Sequence, residues 1–184
     1  MAHSKEYLKE LELLHNKKSF GIAANIPDIV KQLIENNEIT SVLDFGAGKG
    51  LTSQALKSTY DVNVFTYDPV TFPIKLPDKV DLIYSSDVLE HIESTLIDET
   101  IQDLSNRAQL YQYHLIACHP AKKSLSDGRN AHLIIEKPEW WKEKLSNIEG
   151  WNIIYEEVRE WTAKVKKGPP RDIVKYIVLL KKHT

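Results

Sequence analysis

The first forty residues contain two stretches in which apolar residues recur at helical spacing. Tyr7, Leu8, Leu11, Leu14 and His15 fall on one face of a first helix. A second helix is predicted to begin near Pro27, because proline suits the first position of a helix. Residues 1–40 are therefore expected to form N-terminal helices. These helices either pack plainly on the remainder of the chain or act as a lid, in which Tyr7, His15 and Phe20-Gly21 reach over a bound ligand.

From residue 41 onward, short apolar runs alternate with segments of helical periodicity. Strands are predicted at 41–45, 62–67, 80–84, 113–118, 151–158 and 172–180, and helices at 51–58, 94–108 and 139–145. Strands that alternate with helices favour an α/β fold with a mostly parallel sheet covered on both faces. The last two strands have no helix between them, so we expect them to pair in antiparallel fashion at one end of the sheet.

The end of the first predicted strand carries an acid followed by glycines at alternate positions. Asp44 is followed by Gly46, Gly48 and Gly50, and glycine permits a tight turn and lets a ligand approach the backbone closely. The helix that follows presents its N-terminal N–H groups to an anion. A dinucleotide-binding turn would need its third glycine where Leu51 stands. Because Asp44 would repel a pyrophosphate and attract an ammonium group, the charges favour S-adenosylmethionine over NAD.

A second acid stands at the end of the second predicted strand, in Tyr67-Asp68-Pro69. An acid at this position can accept hydrogen bonds from both hydroxyls of an adenosine ribose. An Asp before a Pro is more often a turn former, but here the glycine-rich turn lies at the right distance upstream. We therefore predict that Asp68 holds the ribose of the cofactor.

Three segments together resemble the successive motifs of class I S-adenosylmethionine-dependent methyltransferases. They are Val42–Gly50, Tyr67–Asp68 and Asp81–Ile92. The resemblance implies a Rossmann-like methyltransferase fold of seven strands, the last of them antiparallel, in a single domain over residues 1–184. It also implies an enzyme whose cofactor is S-adenosylmethionine.

The resemblance assigns cofactor-binding residues to the ends of three successive strands. They are Asp44, Phe45, Gly46, Ala47, Gly48, Tyr67, Asp68, Pro69, Ser86 and Asp87. In this assignment residues 44–48 surround the methionine part of the cofactor, and Pro69 lies beside its adenine. Ser86 and Asp87 close the pocket from the next strand.

The chain departs from the family layout after the second strand. Only residues 69–79 separate this strand from the next one, and Pro73 and Pro77 fall within the interval. A helix and a strand do not fit there, so the usual helix, edge strand and adenine-contacting acid are expected to be shortened or missing. Phe72 or Ile74 is a weak candidate to cover the adenine instead.

The candidate catalytic residues are Glu90, His91 and His132. Methyl transfer needs a positioned acceptor, and an oxygen acceptor usually needs a base as well. Glu90 and His91 follow the third predicted strand, and His132 ends a loop at 119–132 that follows the fourth. Two interpretations without a catalytic role stay open. Glu90 and His91 could form the partly exposed start of a helix, and the loop 119–132 could be a surface turn.

A metal site is the weaker hypothesis for the same region. Glu90, His91, His119 and His132 have the chemistry of metal ligands, but no pair has dedicated spacing such as HExxH. We therefore expect no metal.

Charge and composition favour a small-molecule acceptor, a metabolite or sugar, over nucleic acid. The net charge of −2 gives no overall attraction to nucleic acid. A basic cluster has no interleaved aromatic residues and is more typical of a solvated hairpin tip. It comprises Lys164, Lys166, Lys167, Arg171 and Lys175. A nucleic-acid or protein acceptor, and a non-catalytic protein that holds the cofactor, stay open as alternatives.

The sequence is also expected to belong to a soluble, cytoplasmic protein with no membrane segment. The N-terminus lacks the apolar core of a signal peptide, and apolar runs such as Ile177–Leu180 are far too short to span a bilayer. The single cysteine, Cys118, excludes an internal disulfide and fits a reducing compartment. No oligomeric state is predicted.

Overall fold

The protein is described here from a computed structural model. The described residues are 3–16, 21–22, 25–36, 38–164 and 168–183. Lys166 and Lys167 of the predicted basic cluster lie outside them.

A six-stranded sheet forms the centre of the fold, in the order β2-β1-β3-β4-β6-β5. The strands are β1 Ser41–Phe45, β2 Asn63–Tyr67, β3 Val80–Ser86, β4 Ala108–Ala117, β5 Trp151–Ala163 and β6 Arg171–Lys182. The pairs among β1 to β4 are parallel, whereas β6 is antiparallel to both β4 and β5. The predicted α/β sheet with an antiparallel last strand is confirmed, and this strand lies inside the sheet rather than at its edge.

The expected seventh strand is absent from the described residues, and the shortening predicted after the second strand is confirmed. Asp68 and Phe72 form an isolated antiparallel bridge, and residues 73–79 then lead into β3 without helix or strand. Each proline in this interval removes a backbone donor. β2 is therefore an edge strand of the sheet.

Helices cover both faces of the sheet. They are α1 Lys5–His15, α2 Asp28–Glu35, α3 Leu51–Thr59, α4 Ile97–Arg107 and α5 Pro138–Ser146. Apolar residues of α4 and α5 pack in one core cluster around the buried Trp141. Those of α2 and α3 pack in a second cluster around Val42 and Leu82. Within the described residues, no helix has the length and apolar character that crossing a membrane requires.

The predicted start of β4 at residue 113 is wrong, because the strand begins at Ala108, directly after α4. Gln112 explains the error. Its amide is fully buried and donates to the Ser105 hydroxyl at 3.1 Å. A satisfied polar residue in a buried position interrupts the apolar pattern by which a strand is recognised.

Helix α1 packs across the loop that follows β4. Its N-terminus is capped by the Ser4 hydroxyl, which accepts a hydrogen bond from the Tyr7 N–H at 3.1 Å. The buried face of the helix meets Leu125 and Ala131 in a small separate cluster. Burial of an aliphatic side chain contributes roughly 1.5–3 kcal/mol, so this face holds α1 over the ends of the parallel strands.

Candidate functional site

The turn after β1 is shaped by glycines that no other residue could replace without strain. Gly46 and Gly48 have φ angles of +76° and +57°, in the left-handed region that favours glycine. A Cβ atom on Gly46 would lie 2.5 Å from side-chain carbons of Val88, and one on Gly48 would lie 2.6 Å from the Cα of Gly21. The turn is held against β2, because the N–H groups of residues 46 and 47 donate to the Tyr67 carbonyl oxygen at 2.9 and 2.8 Å.

Asp44 is a buried acid immediately before this turn. Its side chain accepts a hydrogen bond from the Ser53 hydroxyl at 2.6 Å, and only 3% of the residue is exposed. Burial raises the pKa of Asp44 to about 6, against the lowering effect of the Ser53 hydrogen bond. A cationic ligand group beside Asp44 would therefore stabilise its ionised form.

Asp68 connects the ends of β1 and β2. One carboxylate oxygen accepts from the Gly48 N–H at 3.1 Å, and the other accepts from the N–H groups of Val70 and Thr71 at 2.9 and 3.0 Å. The Nε2 atom of His15, at the end of α1, lies 3.6 Å from this carboxylate. The acid is thus oriented by backbone donors and covered by α1.

Asp44 and Asp68 line one cavity of about 260 Å³ beneath α1. All the predicted cofactor-binding residues line it: Asp44, Phe45, Gly46, Ala47, Gly48, Tyr67, Asp68, Pro69, Ser86 and Asp87. They come from the carboxyl ends of β1, β2 and β3, where ligands bind in open α/β sheets. The structure therefore brings the three sequence segments together around a single ligand-sized space.

The sequence did not predict several other residues of this cavity. Those from the N-terminal segment and the core are His3, Leu11, Thr52, Tyr84, Val88 and Ile92. Tyr7, His15 and Gly21, which were predicted to reach over the cofactor as part of a lid, do line the cavity, whereas Phe20 of the same prediction lies outside the described residues. The Tyr7 hydroxyl and Nδ1 of His3 are buried without a hydrogen-bond partner in the described parts of the chain. Such groups are suited to a polar ligand. The helical pattern found the face of α1, but no local pattern showed where the helix docks.

Phe72 and Ile74 are not among the residues that line this cavity. The Phe72 ring instead packs on Gly50, where an added Cβ would meet it at 3.0 Å. Ile74 is 42% exposed. Pro69 is the residue of this segment that reaches the cavity.

Asp87 joins the first cavity to two neighbouring ones. It has a φ angle of +55°, the one positive value among the described residues other than glycine. Its N–H donates to the Leu115 carbonyl oxygen at 2.8 Å, and Nζ of Lys175 lies 2.7 Å from both carboxylate oxygens. Left-handed backbone at such a residue costs on the order of 1 kcal/mol. The surrounding bonds hold the side chain where the three cavities meet. The second of them, of about 550 Å³, has Asn25, Tyr113 and Arg159 among its lining residues.

The third cavity, of about 300 Å³, is lined mainly by basic and histidine side chains. These are His91, His119, Lys122, Lys123, His132, Arg171 and Lys175. Two members of the predicted basic cluster, Arg171 and Lys175, are therefore part of the wall of this cavity. The loop 119–132 is shaped by Asn130, whose side-chain oxygen accepts from the N–H groups of Ala121 and His132 at 2.8 and 2.9 Å.

The three candidate catalytic residues form one cluster. One potential ligand atom from each of Glu90, His91 and His132 lies within 4.8 Å of the others. Burial raises the pKa of Glu90 well above its usual range and lowers that of His91 to about 4. His91 lines both the first and third cavities, His132 lines the third, and Glu90 lies behind them, fully buried.

The fold and the cavity define the chain as a Rossmann-like α/β protein with a ligand site at the carboxyl ends of its parallel strands. The sequence model of a methyltransferase-domain family matches residues 15–146. The chain belongs to this family and is an S-adenosylmethionine-dependent methyltransferase. Its cofactor is S-adenosylmethionine. No curated protein sequence shows significant similarity to the chain.

Solved structures of other methyltransferases share the fold. One is the 1,6-didemethyltoxoflavin-N1-methyltransferase of Burkholderia thailandensis with 1,6-didemethyltoxoflavin and S-adenosylhomocysteine bound, at 13% identity and a TM-score of 0.59 over 100% of this chain and 92% of that one. A Haemonchus contortus N-methyltransferase, in complex with phosphomonomethylethanolamine and S-adenosylhomocysteine, is 12% identical. Its TM-score is 0.56, over 79% of this chain and 49% of that one. An S-adenosylmethionine-dependent methyltransferase from Clostridium acetobutylicum is 14% identical, with a TM-score of 0.53 over 85% of this chain and 89% of that one.

Proposed function

We propose that the chain, acting as a single domain over residues 1–184, transfers a methyl group from S-adenosylmethionine to a small anionic acceptor. One observation carries the proposal: the cavity that holds Asp44 and Asp68 adjoins the third, cation-lined cavity through His91 and Asp87. The cofactor supplies an activated methyl group, and the protein mainly has to position the acceptor.

In the cofactor half, the buried acids and the glycine turn suit the chemical groups of S-adenosylmethionine. Asp44 is proposed to face the ammonium group, and its place as a buried carboxylate beside the turn supports this assignment. Asp68 is proposed to accept from the ribose hydroxyls: a carboxylate has about four lone-pair sites, and three backbone N–H groups use only some of them. The buried hydroxyl of Tyr7 supplies a further polar contact.

In the acceptor half, the size and charge of the third cavity support a small anionic molecule. Its volume of about 300 Å³ suits a metabolite rather than a polymer. Lysine and arginine side chains on its wall outnumber the single acid, Asp87, so a carboxylate or phosphate on the acceptor would be stabilised. Helix α1 also covers the cofactor cavity, which restricts the approach of a macromolecule.

His91 and His132 are the residues proposed to contact the acceptor. Both line the third cavity, and His91 also lines the cofactor cavity, where the methyl group would be presented. Glu90 lines neither cavity and is proposed to act on the two histidines through its buried carboxyl group, because one ligand atom of Glu90 lies within 4.8 Å of theirs. Residues that touch the acceptor are thus distinguished from one that does not.

Calorimetry with S-adenosylhomocysteine tests the cofactor half. Wild-type protein is expected to bind one equivalent, and Asp44→Asn and Asp68→Asn are each expected to weaken binding by about 10–100-fold, because each removes a charge-assisted contact. Asp78→Asn changes an exposed acid outside the cavity and should bind as the wild type does. Wild-type protein that fails to bind at millimolar concentration would overturn the proposal.

A transfer assay with radiolabelled S-adenosylmethionine tests the acceptor half. The label is expected in the small-molecule fraction of a cell extract, and in its anionic part after ion exchange. Label found in RNA, DNA or protein would replace the proposed acceptor class. Cofactor binding without any transfer would favour the non-catalytic alternative.

A further inference from the structure

We propose that Glu90, His91 and His132 form a binding site for one divalent transition-metal ion, with Zn²⁺ the best match. The proposal reverses the expectation from spacing alone, which was that no metal binds. It rests on three observations: the grouping of the donors, an unpartnered oxygen of Glu90, and the orientation of both histidine rings.

The donors are close enough to share an ion. One ligand atom from each residue lies within 4.8 Å of the others. Zinc bonds of about 2.0–2.1 Å place tetrahedral ligand atoms on the order of 3.3 Å apart. Side-chain rotations that bring the ligand atoms closer by about 1.5 Å or less would therefore complete the geometry. Two imidazoles and one carboxylate are also the ligand types of zinc sites that keep a coordination position open.

Glu90 supplies the observation that points to a bound cation. The residue is fully buried, and its Oε1 atom accepts a hydrogen bond from the Ala117 N–H at 3.1 Å. Its Oε2 atom is buried with no hydrogen-bond partner in the part of the chain that the structure describes. A buried carboxylate oxygen without a partner is costly, and Lys175, the nearby cation, is held by both oxygens of Asp87. A metal ion would satisfy the oxygen and neutralise the charge.

Both histidine rings are oriented as metal ligands are. Nδ1 of His91 lies 2.6 Å from the Ala131 carbonyl oxygen, and Nδ1 of His132 lies 2.5 Å from that of His119. A carbonyl can only accept, so each Nδ1 carries the proton and each neutral ring has its lone pair on Nε2. Such outer hydrogen bonds fix the ring and the tautomer of metal-binding histidines.

The ion would lie at the third cavity, where it could also serve the acceptor. His91 and His132 line this cavity, so the remaining coordination positions face it. We infer that an oxygen or nitrogen of the acceptor occupies one of them. This role of the ion rests on the proposed function, whereas metal binding itself does not.

Metal titration of the chelator-stripped protein tests the site. Wild-type protein is expected to bind one equivalent of Zn²⁺, measured by elemental analysis after dialysis, and Co²⁺ should give the visible absorption of a four- or five-coordinate nitrogen–oxygen site. His132→Gln and Glu90→Gln should each weaken binding by more than about 100-fold, since outer-shell partners alone are worth 10–100-fold. His183→Gln changes an exposed histidine outside the cluster and is the matched control.

The outcomes separate metal binding from folding and from cofactor binding. Glu90→Gln removes a buried charge, so its metal-free form is expected to unfold at the same temperature as the wild type or higher. The proposal is overturned if wild-type protein binds no equivalent of Zn²⁺ or Co²⁺, or if both variants bind as tightly as His183→Gln. S-adenosylhomocysteine binding by the metal-free wild type is measured alongside, so that failure of the metal site is distinguished from failure of the cofactor site.

Discussion

The two halves of the site are built in different ways. In the cofactor half, backbone turns at the ends of adjacent parallel strands set the geometry, and Gly46 and Asp44 lie within three residues of each other in the sequence. In the acceptor half, the wall is assembled from the loop 119–132, the start of β6 and the short turn at 89–91. The comparison shows that the cavity around Asp44 and Asp68 depends on local chain geometry, whereas the proposed acceptor site depends on contacts between distant segments.

The largest expected effect is in the cofactor half, at Gly46→Ala. The new Cβ atom would meet Val88 at 2.5 Å on a left-handed backbone, so we expect S-adenosylhomocysteine affinity to fall by more than about 100-fold and stability by about 1–3 kcal/mol. Calorimetry and denaturant unfolding measure the two quantities.

Gly150→Ala is the matched control for this change. Gly150 has a similar φ of +79°, but nothing lies within 4 Å of an added Cβ. It should lose stability from backbone strain while cofactor affinity is kept. Equal affinity in the two variants would contradict the claim that close approach at the turn shapes the cofactor site.

Asp44→Asn is expected to have opposite effects on binding and stability. The folded-state pKa of Asp44, about 6, lies above its unfolded value, because burial disfavours the ionised form. The ionised acid therefore destabilises the fold above pH 6, and the variant should be more stable than wild type by about 2–3 kcal/mol at pH 7. The difference should diminish as the pH falls from 6 to 4.

The affinity of the wild type for S-adenosylhomocysteine should fall in the same pH range. Protonation of Asp44 below pH 6 removes the charge that faces the ligand ammonium group, whereas the affinity of the variant should vary less. The groups that act on Asp44 here are the Ser53 hydroxyl, Asp68 and Lys57. Parallel pH profiles for the two proteins would disprove the assignment.

In the acceptor half, Asn130→Ala should reduce methyl transfer more than cofactor binding. The variant loses the bonds from Asn130 to Ala121 and to the His132 N–H, so His132 is expected to be misplaced. We expect kcat/KM for the acceptor to fall by about 10–100-fold, with S-adenosylhomocysteine affinity changed less than about twofold. Asp127→Ala alters the exposed pair with Arg129 in the same loop and should leave kcat/KM near the wild-type value.

The smallest expected effect tests the contact between α1 and the acceptor loop. The Ser126 N–H donates to the Glu10 carboxylate at 2.6 Å in an exposed position, and such contacts are worth up to about 1 kcal/mol. Glu10→Gln should speed cofactor dissociation about twofold in stopped-flow measurements. Glu12→Gln, at another exposed position of α1, should not, and equal rates in both variants would argue against α1 as a lid.

The cofactor half could be predicted from the sequence because its residues occur in short, ordered motifs. Residues 44–48 and Asp68 each follow an apolar strand, and parallel strands bring their ends to one edge of the sheet. The place of β6 between β4 and β5 was not predictable, because strand order depends on pairing between distant segments. The place of His3 in the cavity wall was hidden for the same reason.

In the proposed acceptor half, the spacing of residues along the sequence did not reveal how their side chains are surrounded in the fold. Glu90 and His91 are adjacent and His132 lies far along the chain, so no ligand motif is visible. Burial, the carbonyl partners of both rings and the unpartnered oxygen of Glu90 become apparent only in the folded chain. The sequence singled out Glu90, His91 and His132 as candidates, whereas their grouping in space depends on the packing.

The reversed direction of β6 has a consequence for how the chain completes its site. Parallel strands bring their carboxyl ends to the ligand, but an antiparallel strand brings its beginning there. β6 therefore delivers Arg171 and Lys175 beside the end of β4, where Ala117 pairs with Lys175. A strand running the other way would have offered Leu180 to Lys182 instead. The antiparallel direction of β6 thus places the positive charges of Arg171 and Lys175 at the same edge of the sheet as the ends of the parallel strands.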